Sequence, residues 1–410
     1  MTSFFFSNSA YEISANSKYV EIEVTNGTKN WFDDLQSLLR SLRLSTSQSI
    51  TSSPDVVANS AMNNDVEFAP PFAFIAFEYD LSEPCKIFIP LRGREVQKMT
   101  SSMEYKVQLE DTEVSNLAKS FGHSKIVTDS TIELNSPPEN FQLDPVESHS
   151  SFKSNVETAL AAIKSGQIKK VVLSRRVIVH ADRPFTPTIV IERLSNLYPT
   201  CALFSIDGFV GASPELLISK FENQLFSQPL AGTVGRSGDE KNDQKLMDEL
   251  LQSEKMKNEH EIVVQSIMES LQGNYKDMNM PSSPEIVKLR NVCHLSTPIH
   301  FTASKPELNV LDYVSLLHPT PAVGGYPTTE ALKIQKEIEG FDRKRYAAPI
   351  GWMDANGNGE FYVGIRSAQI TNSKALMISG VGIVEGSKPE SELIETQLKF
   401  QAMLSTLVRP

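Results

Sequence analysis

The feature that most constrains this chain lies near its C-terminus: Ser379-Gly380-Val381-Gly382-Ile383-Val384, then Glu385-Gly386-Ser387-Lys388-Pro389, then Glu392, Glu395 and Lys399. A β-branched run, a glycine-bearing turn and a helix follow one another. Pro389 suits a first helical turn, where no amide donor is needed, and Leu393, Ile394, Leu398, Met403 and Leu404 continue at helical spacing. At about 100° per residue, Glu392, Glu395 and Lys399 share one narrow face. Two carboxylates a turn apart repel unless positive charge lies between or beyond them. Either this is a solvated stripe with Glu395 paired to Lys399, or the glycines admit backbone amides close to an anion and its metal.

A second carboxylate raises the same question. Residues 243–271 read as one long helix, on whose wheel Ile262, Val263, Met256 and Ile267 lie within about 80° of Glu259. Glu254, Lys257, Glu261 and Gln265 gather on the far side. An unpartnered carboxylate on an apolar face is costly, so Glu259 should be protonated, ion-paired or bound to metal. A salt bridge to a core arginine would satisfy it. Pairing with the Glu392/Glu395 helix around one divalent cation would account for both oddities.

The 410 residues, 40% of them hydrophobic, allow a large core in one domain or a few smaller ones. No apolar run is long enough to span a bilayer. The segment 1–6 lacks the basic start and sustained apolar stretch of a signal peptide. Cys85, Cys201 and Cys293 are scattered without metal-ligand spacing, which fits a reducing compartment. A soluble, cytoplasmic protein without membrane contact is expected. The net charge of −11 argues against a nucleic-acid partner. An anionic substrate would need positive charge concentrated locally, in a few Lys and Arg or a metal.

In residues 1–145, 20–24 alternates as a strand, 32–44 is an amphipathic helix, and 72–77 and 86–90 are paired strands. The polar stretch 45–66 reads as an exposed or mobile connection. Pro137-Pro138 and the polar run to Ser151 mark a seam, so 1–145 is expected to be a divergent part completing the sheets and 146–405 the catalytic region. Beyond the seam come a helix at 152–163 capped by Gly166, a strand at 169–180, a helix at 189–197 and two strands within 202–220. A strand and turn follow at 226–233, then a strand at 291–297, a rigid Pro-rich loop at 316–325 and a strand at 347–353. A hairpin turn at 354–359 feeds a β-rich run, 360–370, containing Arg366. Asp354, Asn356 and Asn358 tempt a calcium-loop reading, but the terminal Glu and the flanking helices are missing. Strands dominate and hairpin turns are common, which predicts an α+β fold with large antiparallel sheets.

Several motifs in order carry a resemblance: Lys-Val-Val-Leu-Ser-Arg (170–175), Ser-Pro-Glu-Leu-Leu (213–217), Pro-Leu-Ala-Gly-Thr (229–233), Glu-His-Glu (259–261), His-Pro-Thr-Pro-Ala-Val-Gly-Gly (318–325), Ile-Arg-Ser-Ala (365–368), Gly-Val-Gly-Ile-Val (380–384) and Glu392-x-x-Glu395. Over about 150–405 the chain resembles the chorismate-utilising enzymes, and among them it is most similar to the isochorismate synthases. The resemblance implies a monomer of two stacked, largely antiparallel sheets with helices outside. It also implies a Mg²⁺-dependent isomerisation of chorismate, with no glutamine amidotransferase partner.

By that resemblance Lys170 is the base that activates water. It shares a strand face with Val172, Ser174, Arg176 and Ile178, while Lys169 faces the other way. A lysine can do this only where burial or a nearby cation favours its neutral form. Glu215 is the implied general acid, flanked by Pro214, Leu216 and Leu217, whose desolvation suits a protonated carboxyl. Glu259 and Glu395 are the implied Mg²⁺ ligands, with Glu392 acting through water. Arg366, Tyr346 and Lys399 are implied to hold the enolpyruvyl carboxylate, with amides of Gly232, Thr233, Gly380 and Gly382 completing the cradle. His294 and His318 lie near the site by motif, although a lone histidine is more often structural.

The chain departs from the common pattern at Met256, where many relatives carry an acid, and at Ala348, where Gly is usual. Ser296 and Tyr326 stand at pocket positions that bear on product fate. A salicylate synthase, which goes on to eliminate pyruvate, is therefore the alternative. An ammonia-using aminase is disfavoured by Lys170, and a non-catalytic chorismate binder would tolerate loss of Lys170 or Glu215. The residues favour no one downstream route among siderophore, menaquinone and other secondary products.

Overall fold

The longest ladder in the computed structural model joins strand Lys170–Ala181 to strand Lys374–Val384, antiparallel from Lys170↔Val384 to His180↔Lys374. The structure describes residues 2–8, 11–16, 18–24, 31–50, 72–90, 92–97, 101–108, 122–128 and 136–408. Both strands are β-branched and almost wholly buried, as strands covered on two faces are. They sit in a sheet that has twelve strands among the described residues, which runs on through Ser367–Thr371, Phe209–Ser213 and Ala202–Ile206 to Thr2–Ser7 and beyond.

A second sheet, of ten strands among the described residues, runs from Tyr275–Asn279 through Leu216–Phe221, Gly359–Val363 and Pro349–Met353 to Lys18–Val24 and Gly122–Thr128. The two sheets stack. Phe6, Phe204 and Ile378 of the first share one apolar core with Phe74, Ile350, Trp352 and Phe361 of the second. Helices lie outside. Pro187–Leu197 and Pro389–Leu407 cover part of the outer face of the first sheet, and His149–Lys164 and Thr328–Glu339 cover the Lys170 end. The ladders are antiparallel, as expected for this α+β fold.

The early expectations divide. Strand Ala73–Ala76 pairs with Cys85–Pro90, and helix Trp31–Ser41 stops short of Leu44. Residues 45–50, read as part of a connection, instead belong to strand Arg43–Ile50, which pairs with Ser101–Gln108. Pairing partners far along the chain override the weak local preference of a Ser/Thr run. The rest of that connection lies outside the described residues. Residues 243–271 are two helices, Glu240–Gln252 and Glu254–Leu271, because Ser253 closes one and its hydroxyl caps the next at the Met256 amide. Residues 202–220 hold three strands, not two, and 360–370 hold two. A third, small sheet joins Leu230–Gly235, Val292–Ser296 and Glu285–Lys288. No described helix is long and apolar enough to cross a membrane.

Candidate active site

The extra strand breaks have a purpose. Phe209–Ser213 belongs to the first sheet and Leu216–Phe221 to the second, so Pro214-Glu215 is where the chain crosses between them. Gly359–Val363 and Ser367–Thr371 repeat the crossing at Gly364–Arg366. The two crossings are laced together: the Val363 amide donates to Glu215 O at 3.0 Å, and the Ala212 amide to Arg366 O at 3.1 Å. Arg366 takes φ 50° to make the turn. The β-rich run at 360–370 is thus two strands, and Arg366 sits in the turn between them. Backbone leaving a ladder frees its side chains to face a cavity, and Glu215, Arg366, Lys170, Glu259, His294, Tyr346 and Lys399 all line one.

Lys170 opens its strand with a side chain 1% exposed, and its Nζ lies 3.1 Å from Glu259 Oε1. Lys169 beside it is exposed, as strand alternation requires. Glu259 is therefore satisfied by an ion pair, one of its expected options, with a cavity lysine and not a core arginine. Gly382 makes room for the pair. A Cβ there would stand 2.3 Å from Glu259 Oε1 and 2.9 Å from Lys170 Cε.

Glu215 is buried, and that burial pushes its carboxyl up to about 7 against the opposing pull of Lys170, Arg366, the Leu230 amide and Lys399. It can hold a proton near neutral pH. His294 cannot. Burial, with the charges of Arg366 and Lys399 acting the same way, holds it well below its ordinary range. Its Nε2 lies 3.0 Å from Arg366 Nη2 and its Nδ1 3.1 Å from Thr233 Oγ1. A guanidinium only donates, so Nε2 accepts and the ring proton sits on Nδ1. The histidine aims Arg366, whose buried Nε has no hydrogen-bond partner among the described residues. That orphan donor wants an acceptor from outside the chain. Tyr346 stands close by: a Cβ on Gly380 would lie 3.2 Å from its hydroxyl. Gly232, at φ 71°, packs against Met256 and turns the chain into Thr233.

On helix Pro389–Leu407, Lys399 Nζ pairs with Glu395 Oε1 at 2.7 Å and donates to Gly380 O at 3.0 Å. The local pair suggested by the sequence thus forms, but within the site and not as a solvated stripe: Lys399 lines the cavity and Glu392 is 2% exposed. Burial, and then the charge of Glu395, raise the Glu392 carboxyl, opposed by Lys255 at 2.9 Å. Among the described residues no three His, Cys, Asp or Glu side chains already form a metal cluster. The expected donors are nonetheless all carboxylate oxygens from two helices: Glu259 lines the cavity beside Gly382, Glu395 is linked to Gly380 through Lys399, and Glu392 and Glu395 stand behind the lining rather than in it. A Mg²⁺ ion, which completes its shell with substrate oxygens and water, fits that set.

Sequence reasoning missed Arg343. It lines the cavity, yet its charge is matched by Glu339, with Nε donating to Oε2 at 2.9 Å, while Nη1 and Nη2 donate to Val323 O at 2.7 Å and Val172 O at 2.9 Å. Glu339 Oε1 in turn takes the Ser174 amide and hydroxyl, both at 2.6 Å. These side chains occupy the edge of the Lys170 strand where no strand pairs. Arg-Lys-Arg at 343–345 was visible in the sequence, but nothing local singled out the first. Three other positions lie outside the cavity lining, His318 among them as the structural histidine that a lone histidine more often is. Its Nε2 lies 2.8 Å from Tyr79 O. Ser296 and Tyr326 do not line the cavity: Ser296 accepts from Gln228 at 3.2 Å, and the Tyr326 ring lies under the Lys169 ammonium at 5.8 Å. The Asp354 carboxylate is used by the amides of Asn356 and Asn358 in a turn, so no calcium loop forms there.

Comparisons agree with this architecture. A family model described as chorismate binding enzyme matches residues 4–408. The isochorismate synthase MenF of Bacillus subtilis is 41% identical over 256 residues, which are 62% of this chain and 54% of that protein. The isochorismate synthase EntC of Escherichia coli is 38% identical over 260 residues, 62% of this chain and 66% of that one. The match thus spans between half and two thirds of the length of these curated relatives. The solved structure of DhbC from Bacillus anthracis aligns with 99% of this chain and 96% of its own at 28% identity, with a TM-score of 0.77. Anthranilate synthase component I of Streptococcus pneumoniae, at 20% identity and a TM-score of 0.71, shares the fold.

Proposed function

The chain belongs to the chorismate-binding enzyme family, and from that premise we infer that it is a Mg²⁺-dependent isochorismate synthase acting on chorismate. One observation carries the reading: two buried proton-transfer groups, Lys170 and Glu215, line the same cavity as an arginine with an unused donor, Arg366. Isochorismate formation adds water at one ring carbon while the hydroxyl on another leaves, so no atoms are gained or lost overall.

Lys170 takes a proton from the incoming water. Glu215 gives its proton to the departing hydroxyl. A carboxyl that titrates at about 7 is suited to that donation; the two transfers leave Lys170 protonated and Glu215 ionised, and proton exchange with solvent resets both before the next turnover. Arg366, held by His294, takes the enolpyruvyl carboxylate with Tyr346 and Lys399, and the amides of Gly232, Thr233, Gly380 and Gly382 surround it. Mg²⁺ bound by Glu259 and Glu395, with Glu392 through water, would fix the ring carboxylate and take up the Glu259 charge that Lys170 now neutralises. Val172, Leu230, Ala322, Val323 and Ile365 in the same wall keep bulk water from competing.

The test is incubation of the purified protein with chorismate and MgCl₂, with the products resolved chromatographically. Isochorismate without pyruvate supports the reading. Salicylate with equimolar pyruvate would replace it with the salicylate synthase, and an amino product with ammonium would replace it with the aminase.

A further inference from the structure

Three carboxylates of the site each carry their own lysine: Glu259 with Lys170, Glu395 with Lys399 and Glu392 with Lys255. Two of those lysines line the cavity and have work to do on substrate. Lys255 does not line it. It stands at the start of helix Glu254–Leu271, 28% exposed, with its ammonium on a carboxylate that is 3% exposed. A buried carboxylate already burdened by its neighbour Glu395 would be served as well by a divalent cation as by this lysine.

We propose that Lys255 is an affinity-setting residue: it competes with the divalent cation for the Glu392 charge and weakens cation binding in the absence of substrate. The proposal rests on the reading of Glu259, Glu392 and Glu395 as the metal site. The physics is electrostatic. A positive charge held within a few ångströms of a dication, in a region shielded from water, opposes its entry far more than it would at the surface. The position next to Lys255 strengthens the effect, since Met256 adds no carboxylate to offset it.

The experiment is calorimetric titration of the intact protein with MgCl₂ at pH 8, without substrate, for wild type, Lys255→Met, Lys255→Arg and Glu395→Gln. Lys255→Met should bind Mg²⁺ about tenfold more tightly than wild type, and Lys255→Arg, which keeps the charge, should stay within about twofold. Thermal melts establish that each variant is folded, and the partial exposure of Lys255 makes that the expected outcome. Unchanged or weaker binding by Lys255→Met overturns the proposal while leaving the metal site standing, provided that Glu395→Gln loses affinity. Binding that is indifferent to Glu395→Gln overturns the metal site itself, and the proposal falls with it.

Discussion

The Nζ of Lys170 lies 3.1 Å from Oε1 of Glu259, with the lysine side chain 1% exposed and the glutamate 12%. The two residues are 89 positions apart in the chain, and they meet because one begins a central strand and the other faces inward from the helix laid across its end. Replacing Lys170 by Ala should lower isochorismate formation by at least about a hundredfold, the usual worth of a positioned base. Steady-state turnover on chorismate measures this. A variant with wild-type turnover would remove Lys170 from the chemistry.

Gly382 is the clearance that lets that pair form. A methyl at this position would sit 2.3 Å from the Glu259 oxygen, so Gly382→Ala should displace the carboxylate and cut turnover by about a hundredfold or more, the cost of misplacing a reacting group by about an ångström. The strand itself is ladder-bonded and should persist, with little change in the melting temperature. Normal activity in the variant would show that Glu259 need not stay where it is.

Glu215 gives two pH signatures. As an acid it acts only while protonated, so turnover should fall as pH rises through about 7, and Glu215→Gln should lose at least about a hundredfold. Its effect on stability has a definite sign. A carboxyl raised in the folded state from 4.5 to about 7 contributes stability that is fully present below the unfolded value and lost as pH climbs to the folded one, on the order of 3 kcal/mol in all. Glu215→Gln should therefore gain on wild type between those limits in denaturant titrations. Parallel pH profiles for the two proteins would contradict the buried-acid assignment.

The Glu339–Arg343 pair, each side chain 2% exposed, ties the uncovered edge of the Lys170 strand to the cavity wall. Glu339→Gln leaves a buried guanidinium without its counter-charge and should cost about 3–5 kcal/mol in equilibrium unfolding. A loss below about 1 kcal/mol would mean that solvent reaches this edge and that the pair is ordinary surface electrostatics.

Much of this site could be read along the chain. Strand alternation put Lys170 and Lys169 on opposite faces and the resemblance chose Lys170 as the inward one, while helical spacing placed Glu259 on the apolar face and gathered Glu392, Glu395 and Lys399 together. What stayed hidden was every relationship that depends on where the backbone leaves a ladder. Ser213-Pro214-Glu215 reads as the middle of a strand because its neighbours are all β-formers, yet it is a crossing between sheets. Arg366 hides for the same reason, and Arg343 because no sequence period distinguishes a buried arginine from the exposed Lys344 beside it. Ser296 and Tyr326 were misplaced in the opposite direction, since position in a motif does not say which way a side chain points.

The sequence by itself determined which faces are buried, because the periods of helix and strand are local properties of the backbone and need no partner. Only the tertiary structure decided which buried charges meet. Lys255 finding Glu392, or Glu339 taking the amide of Ser174, requires segments well over a hundred residues apart to be brought together, and that is settled by how two sheets stack and by the energy of leaving no charge in the interior alone.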